Sequence, residues 1–498
     1  MQKYSKIIAL FLIFLLFSCS SSKSQNDSDI LPDGDADTQD SETQDDDSDS
    51  QSFEIVDDSD ETPDLDDADS DTEKPLPDDE EPNEPTEEIF EETEPINGYA
   101  RCYDKIPAGP YEGFFADPNL EYWVKRSLEY DEDDELTEGD LKNVKRLSVY
   151  SSKDIRGIEK LVNLESVNMA GDNVYDYTPL SKLEKLKTLK IDSQSMTCLD
   201  GSFSLLTNLE TLEIRETKLK DVSPIERLEN LTSLDLDKNQ IEFLPENIGN
   251  LQKLESLAFS YNNVQDIETI KSLTNLERLG FTHNQVEDIL PVKNMTKLIV
   301  INFSNNSISD ISAVENFTEL KSLGASNNKI KMLPDFQRLG KLQRIYLSFN
   351  SISDLPELRG LDSLNEMWLD NNEINDESLI KLDGLEYVKF LDVALNNITK
   401  VPVMKNLKSL NELYLNYNSI TDLSGFADNE SFPALKRLDL GSNKIENVEA
   451  FRNRTGLSSL YVDKNCIKDF SPLEELKERG THVGGMNEQL ESCGDTDE

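Results

Sequence analysis

The sequence predicts an α/β solenoid of about 15 stacked repeats, each about 22 residues long. The first observation behind this prediction is a pattern, L-x-x-L-x-L-x-x-N-x-I, that recurs through residues 144–476. The second is that its central L-x-L portion has the alternation of a short strand with one buried face. A unit this small cannot bury its apolar side alone, so successive units must stack. We therefore expect a horseshoe with parallel strands on its concave face.

Eleven consecutive copies carry asparagine at the same place in the pattern. They begin at Leu231, Leu254, Leu276, Leu298, Leu320, Leu342, Leu364, Val388, Leu410, Leu435 and Leu457, and looser copies begin at Val144, Leu164, Leu186 and Leu209. Buried asparagine amides can satisfy backbone groups where the chain turns. We therefore assign these asparagines to the scaffold and exclude them from the candidate site.

Several segments that follow the asparagines also share a pattern, as in LKDVSPIERLENL from Leu219 and ISDISAVENFTEL from Ile308. With the copies above, they resemble the 22-residue class of leucine-rich repeats found in bacterial internalins. A unit of this length implies short back segments, which we expect to be single 3₁₀ turns. The resemblance covers about residues 114–476, and neither an immunoglobulin-like domain nor a cell-wall sorting motif is evident after the repeats. An invasin function is therefore not carried over.

The open ends of such an array require caps, because an end repeat otherwise exposes an apolar face. Residues 98–143 are assigned to an N-terminal cap, in which Leu120, Val124 and Leu128 have helical spacing. This segment resembles the helical cap of internalin-like proteins. Residues 477–498 are assigned to a C-terminal cap or tail.

Residues 1–18 indicate an export signal, since a basic start precedes the apolar run 7–17, which is too short to span a bilayer as a helix. The sequence Leu16-Phe17-Ser18-Cys19 resembles the lipobox of bacterial lipoproteins. By that resemblance Cys19 would be lipidated and would anchor the protein to a membrane, with the following serines fitting the outer membrane or cell surface of a bacterium. The alternative is cleavage at an ordinary signal-peptidase site.

Residues 19–97 are interpreted as an acidic stalk that begins at the lipidated cysteine. Between residues 24 and 97 there are 32 acidic residues and a single base, Lys74. Such a segment cannot bury enough apolar surface to offset its ordering entropy, so we expect it to be disordered. Asp33, Asp35 and Asp37 have the spacing of a calcium loop, but the Gly and Glu that the loop needs are missing.

Apart from Cys19, the chain has four cysteines, an even number in an exported protein. Three pairings are possible, and positions near the two ends of the array favour Cys102 with Cys198 and Cys466 with Cys493. A zinc site is the alternative, but no two of these cysteines are close in sequence and the chain has only two histidines.

The residues that flank the core leucines of each strand face the hollow of the horseshoe and are free to vary. Small residues at these positions in the middle of the array give way to aromatic ones further on. Large aromatic side chains supply much of the binding energy at protein interfaces. We therefore predict a ligand-binding surface made of Tyr346, Trp368, Phe390, Tyr414, Tyr461, Arg344, Glu366, Glu412 and Arg437, with Phe349 and Tyr417 beside it. The alternative is that aromatic residues simply suit strands and pair with their neighbours.

Residues 98–498 carry a net charge of −23, which argues against nucleic acid as partner because phosphate contacts need clustered Lys and Arg. No nucleophile motif accompanies His283 or His482, and no phosphate-binding glycine loop is evident. We expect a monomer without enzymatic activity, cofactor or metal. Its partner would be a protein or peptide, or alternatively a glycan. A surface-coat or adhesive spacer without one specific ligand is the competing interpretation.

Overall fold

The computed structural model describes residues 90–92, 94–102, 105–171, 174–192 and 196–493. These residues belong to one compact unit, Glu84–Glu498. The predicted export signal, the predicted lipidation site Cys19 and the predicted stalk up to residue 89 lie outside the described residues.

Short elements precede the repeats. Strands β1 (Phe90–Glu92) and β2 (Lys105–Pro107) pair antiparallel, and helices α1 (Pro118–Ser127) and α2 (Glu138–Leu141) follow.

Helix α1 is the predicted N-terminal cap. The Asp117 carboxylate accepts a hydrogen bond from the backbone N–H of Asn119 at 2.8 Å, and a proline occupies the first turn. Leu120 and Val124 are fully buried against the end of the array. The helix ends one residue before Leu128, which still packs on the core. The helical cap is therefore confirmed.

The repeats form one parallel sheet of sixteen strands within the described residues, each paired with its neighbours in chain order. These strands are β3 (Arg146–Tyr150), β4 (Ser166–Ala170), β5 (Thr188–Asp192), β6 (Thr211–Arg215), β7 (Ser233–Asp235), β8 (Ser256–Ala258), β9 (Arg278–Gly280), β10 (Val300–Asn302), β11 (Ser322–Gly324), β12 (Arg344–Tyr346), β13 (Glu366–Trp368), β14 (Phe390–Asp392), β15 (Glu412–Tyr414), β16 (Arg437–Asp439), β17 (Ser459–Tyr461) and β18 (His482–Gly484). Strands β3–β17 correspond to the predicted repeats, which confirms the solenoid. Strand β18 extends the sheet with residues for which the sequence predicted only a cap or tail.

The back of the solenoid contains short helical turns in most repeats, as the 22-residue unit predicted, but the segments that follow β11, β12 and β14 have no helical turn. The 3₁₀ segments are Ile158–Lys160, Thr178–Lys182, Gly201–Leu205, Ser223–Arg227, Ile248–Asn250, Glu268–Ile270, Leu290–Asn294, Ser312–Asn316, Ile380–Gly384, Ser424–Phe426 and Glu449–Phe451. Helix α3 (Asp376–Leu379) lies in the same layer, and α4 (Ser471–Glu478) follows the last repeat. One continuous hydrophobic core lies between these turns and the sheet.

The repeated asparagines form a ladder that links neighbouring units. The Asn262 side-chain amide donates to the carbonyls of Leu236 and Phe259, both at 3.0 Å, and its oxygen accepts from the N–H of Ile241 at 2.9 Å. The same bonds recur as far as Asn465. The scaffold role of these residues is therefore confirmed.

The C-terminal segment completes this ladder. The Gln489 side chain donates to the Val462 carbonyl at 2.8 Å and accepts from the N–H of Ile467 at 3.2 Å, so it does for the last repeat what an asparagine does elsewhere. A disulfide between Cys466 and Cys493, with Cα atoms 5.6 Å apart, holds this segment on the last unit.

A second disulfide, Cys102–Cys198, holds the N-terminal segment against the repeats, with Cα atoms 5.5 Å apart. Beside it, the Arg101 guanidinium pairs with Asp200 at 2.9 Å and with Asp176 at 2.6 Å. Both disulfides have the pairing that the sequence favoured. Because disulfides persist in oxidising environments, they indicate an extracytoplasmic protein.

Candidate binding surface on the concave face

From β7 onward each strand is three residues long, with its middle residue in the core and its first and third residues facing outward. We call these outward positions the first row and the third row. In β12–β17 the first row is Arg344, Glu366, Phe390, Glu412, Arg437 and Ser459, and the third row is Tyr346, Trp368, Asp392, Tyr414, Asp439 and Tyr461. The structure thus brings all nine residues predicted to bind a ligand onto six adjacent strands.

Tyr346, Trp368, Phe390 and Tyr414 form a continuous aromatic stack. Their successive ring centroids are 4.6, 4.5 and 5.4 Å apart. Phe390 joins from the first row because the register partner of Trp368 on β14 is Asp392. The aromatic residues therefore do pair with their neighbours across strands, as the alternative interpretation of the sequence expected. All four residues nevertheless remain partly exposed, so the stack still presents apolar surface to a ligand.

An arginine extends the stack toward the C-terminus. The Arg437 guanidinium lies 5.5 Å from the ring centroid of Tyr414 and 5.1 Å from that of Tyr461, within the range of cation–π attraction. The Tyr414 hydroxyl donates to the Glu412 carboxylate at 2.9 Å. Burial, together with this hydrogen bond, raises the pKa of Tyr414, so the hydroxyl remains a donor at neutral pH.

Arg344 and Glu366 form an ion pair at the other end of the surface, with 3.6 Å between nitrogen and oxygen. Their side chains are 52% and 35% exposed, so water screens the pair and it contributes at most about 1 kcal/mol. Both groups are therefore accessible to a ligand.

A further outward row, the edge row, lies three residues beyond the end of each strand from β7 to β17, immediately before the ladder asparagine. The backbone φ is positive at this position before every ladder asparagine, a conformation that bulky residues rarely adopt. Phe349, Leu395 and Tyr417 nevertheless occupy it and are 46%, 43% and 40% exposed. Sequence reasoning missed Leu395; its place directly before the repeated asparagine was the available signal.

Four aspartates, Asp370, Asp392, Asp439 and Asp463, occupy the third row or the outward position between it and the edge row. We call them the acidic trough. None of the four forms an ion pair within the part of the chain that the structure describes.

The trough has an unusual proton affinity. Burial raises the pKa of Asp392 to about 7, and the charges of Asp370 and Asp439 add to the rise. The Ala394 backbone N–H, which donates a hydrogen bond to the Asp392 carboxylate at 2.9 Å, partly opposes it. Burial also raises the pKa of Asp439, with a contribution from Asp463. The sequence pattern did not show this perturbation, which depends on contacts across strands.

The N-terminal half of the same face is different. There Lys190 pairs with Glu213 at 2.9 Å, and Arg215 pairs with Asp235. The strands between the two halves carry mostly small third-row residues, namely Ala258, Gly280, Asn302 and Gly324. Aromatic rings and unpaired carboxylates therefore occur together in the C-terminal half.

Among the described residues, no group of three or more His, Cys, Asp or Glu side chains could hold a metal ion. His283 stacks on Tyr261 with ring centroids 4.0 Å apart, and burial lowers its pKa. His482 lies edge-on to Tyr461 at 6.0 Å. Both histidines therefore pack against tyrosine rings. A search of the described helices found none with the length and apolarity to cross a membrane.

Comparison with known proteins agrees with this architecture. Models of leucine-rich repeats match residues 207–249, 229–286 and 408–453. An internalin, InlF, from Listeria monocytogenes has 29% identity and a TM-score of 0.55, with 70% of this chain and 95% of that one covered. A leucine-rich-repeat protein of Leptospira interrogans has 21% identity and a TM-score of 0.58, with 70% and 97% covered. The plant peptide hormone receptor RGFR1, solved in complex with RGF2, has 21% identity and a TM-score of 0.54, with 72% and 65% covered. No curated protein matched the sequence.

The repeat, the ladder and these matches define a leucine-rich-repeat protein, a class whose concave surfaces serve for binding. Within that class the chain is similar to the internalin InlF over 70% of its length.

Proposed function

We propose that this protein is a non-catalytic, cell-surface lipoprotein that binds a protein or peptide through the concave face of its repeats. The observation that carries the proposal is the aromatic stack, whose partly exposed rings lie side by side on four adjacent strands. Such rings remove large apolar areas from water on binding while the two tyrosines and the tryptophan keep a polar group.

The surroundings of the stack support the same function. Phe349, Leu395 and Tyr417 expose apolar side chains just beyond three of the same strands, at a backbone conformation that disfavours them. Nothing in the described core requires large residues there, because Asn and Ser occupy the same position in other repeats. A ligand that covers the stack and the edge row accounts both for the exposure of these apolar side chains and for their presence at a backbone conformation that disfavours them. The complex of RGFR1 with RGF2 is a precedent for ligand binding by the fold.

Capture of a partner tests this function. The double variant Trp368→Ala/Tyr414→Ala should no longer capture the surface protein that the wild-type chain retains from host-cell surface extract. Each stacked ring pair contributes about 0.5–1.5 kcal/mol, so we expect a small fall in melting temperature without unfolding.

The matched control is Phe243→Ala/Tyr387→Ala. These rings are 75% and 47% exposed and lie outside the strands, so their loss should leave capture unchanged. Undiminished capture by the Trp368/Tyr414 variant, with its circular dichroism spectrum intact, would show that the aromatic stack is not the binding surface.

The lipid anchor is tested separately with Cys19→Ala. If Cys19 is lipidated, the wild type should partition with membranes, and the variant should be released or retained unprocessed. Equal partitioning of the two proteins into the aqueous phase would favour cleavage at an ordinary site instead.

A spacer without a specific ligand is the second candidate, favoured by the net charge of −51. Association through charge alone should fade at 0.5 M salt, where the Debye length falls to about 4 Å. Binding through the aromatic stack should persist under the same conditions.

A further inference from the structure

The floor of the concave surface in the C-terminal half is a row of polar groups between the third row and the edge row. Backbone hydrogen bonds of 2.8–3.0 Å align Asp370, Ala394, Asn416, Gly441 and Asp463 across five consecutive strands. The two small residues in this row are buried, and the Asp463 carboxylate lies over Gly441, where an added Cβ would meet its Oδ1 at 2.7 Å. The row therefore presents carboxylate and amide oxygens rather than large side chains.

The carboxylates of the acidic trough are not neutralised by ion pairs. The four aspartates form none among the described residues. Asp370 and Asp392 accept hydrogen bonds from neutral donors only, and the charge of Arg437 acts on Asp439. The side-chain oxygen of Asn416, in the same row, is buried and accepts no hydrogen bond. A buried acceptor without a donor is costly, so the Asn416 oxygen favours a ligand that brings an N–H donor. The aspartates, which have no ion-pair partner, favour a ligand that brings positive charge.

The same surface already holds a guanidinium. Arg437 lies between the rings of Tyr414 and Tyr461 at 5.5 and 5.1 Å. Rings flanked by carboxylates suit arginine and lysine in general, since the ring faces attract the cation and the carboxylates accept its hydrogen bonds.

We propose that the surface over β12–β17 binds an extended, arginine- or lysine-bearing segment of a partner protein. The basic side chains enter the acidic trough while alternate apolar side chains cover the aromatic stack and the edge row. This inference rests on the proposed function and names the chemistry of its ligand. Five strand spacings of about 4.8 Å make the surface about 24 Å long, which matches about seven extended residues.

Charge excludes two other occupants. The chain's own segment 24–97 contains 32 acidic residues and one base, and a second copy of residues 98–498 carries a net charge of −23. Both would bring like charge to the trough. The occupant is therefore a different, basic protein segment.

The test uses the full mature chain and two fluorescent octapeptides, one with arginine alternating with leucine and one with glutamine in place of arginine. The arginine peptide should bind about tenfold more tightly than the glutamine peptide at 0.15 M salt, because it alone supplies charge-assisted hydrogen bonds. Asp370→Asn/Asp392→Asn should remove this preference, chiefly by weakening the binding of the arginine peptide.

The matched control is Asp235→Asn/Asp237→Asn in the N-terminal half. It removes the same number of carboxylates from the same two outward positions, and Asp237, like Asp392, has a pKa raised to about 7, chiefly by burial. It should change the affinity for the arginine peptide less than twofold. Equal losses in both variants, equal binding of the two peptides, or no binding of either would overturn the proposal.

These outcomes are distinct from failure of the proposed function. Trp368→Ala/Tyr414→Ala should weaken both peptides. If it does so while the arginine and glutamine peptides bind equally, the concave face binds ligands but does not select basic ones.

Discussion

The two halves of the concave face share one backbone and differ in the side chains that it displays. In the N-terminal half, carboxylates such as Glu213 and Asp235 have basic partners on adjacent strands. In the C-terminal half, Trp368 stacks between two rings and Asp392 has no basic partner among the described residues. The repeat therefore determines where side chains are held, whereas the residue types at the outward positions determine which ligand the face can bind.

The ladder should be equally important in both halves, and its removal should have the largest effect on stability. Asn262 and Asn396 each donate to three carbonyls at 3.0–3.2 Å and accept one N–H at 2.8–2.9 Å. Replacement of either by alanine leaves these buried groups unpaired and should cost about 3 kcal/mol. Urea unfolding should show similar losses for the two variants.

The control for this prediction is Asn263→Ala, an exposed position directly after the ladder, where we expect a change below about 0.5 kcal/mol. A large loss for only one ladder asparagine would show that the two halves do not share an equivalent scaffold.

The scaffold was predictable from the sequence because it depends on residues that recur. Leucine spacing predicted the strands, and the repeated asparagine predicted the ladder that Asn262 illustrates. The position of Gln489 in that ladder was not predictable, because a longer side chain reaches the same groups from a segment without the repeat pattern.

The site was predictable only as a set of positions. The sequence placed Trp368 and Phe390 on the same face. It did not show that their rings stack with centroids 4.5 Å apart, because Phe390 belongs to the first row and Trp368 to the third row. The perturbed pKa of Asp392 was also hidden, because it arises from burial and from the charges of Asp370 and Asp439, which lie on other strands.

Asp392 should make stability depend on pH. Its pKa is about 7 in the folded protein against an ordinary value of 3.8, and the titratable groups that face it are Asp370, Asp439 and Tyr414. Between about pH 4 and pH 7 the folded chain holds a proton that the unfolded chain has lost, so the contribution of Asp392 to stability falls as pH rises through this window. Asp392→Asn should therefore raise the melting temperature at pH 8, by about 2 °C, and change it little at pH 4.

The corresponding variant in the N-terminal half sharpens this prediction. The pKa of Asp237 is also about 7, raised by burial and then by Asp235, but the charge of Arg215 opposes the shift. Because the pKa of about 7 already includes this opposition, Asp237→Asn should raise the melting temperature at pH 8 by about as much as Asp392→Asn does. A gain for Asp392→Asn alone would indicate that the pKa of Asp237 is not raised in the folded protein.

The smallest effect on stability should come from Arg215 itself. This residue pairs with Asp235 and lies near Glu213, and its side chain is 46% exposed. Arg215→Gln should cost less than about 1 kcal/mol at low salt, and the loss should shrink at 0.5 M salt because exposed charges are screened.

The substitution also leaves Glu213, Asp235 and Asp237 without this cation, which gives the N-terminal half an acidic surface without a stack of rings. If charge alone attracted a basic segment, the variant would bind a second arginine octapeptide. We expect one peptide per chain before and after the substitution, because the aromatic stack holds the apolar side chains of the segment.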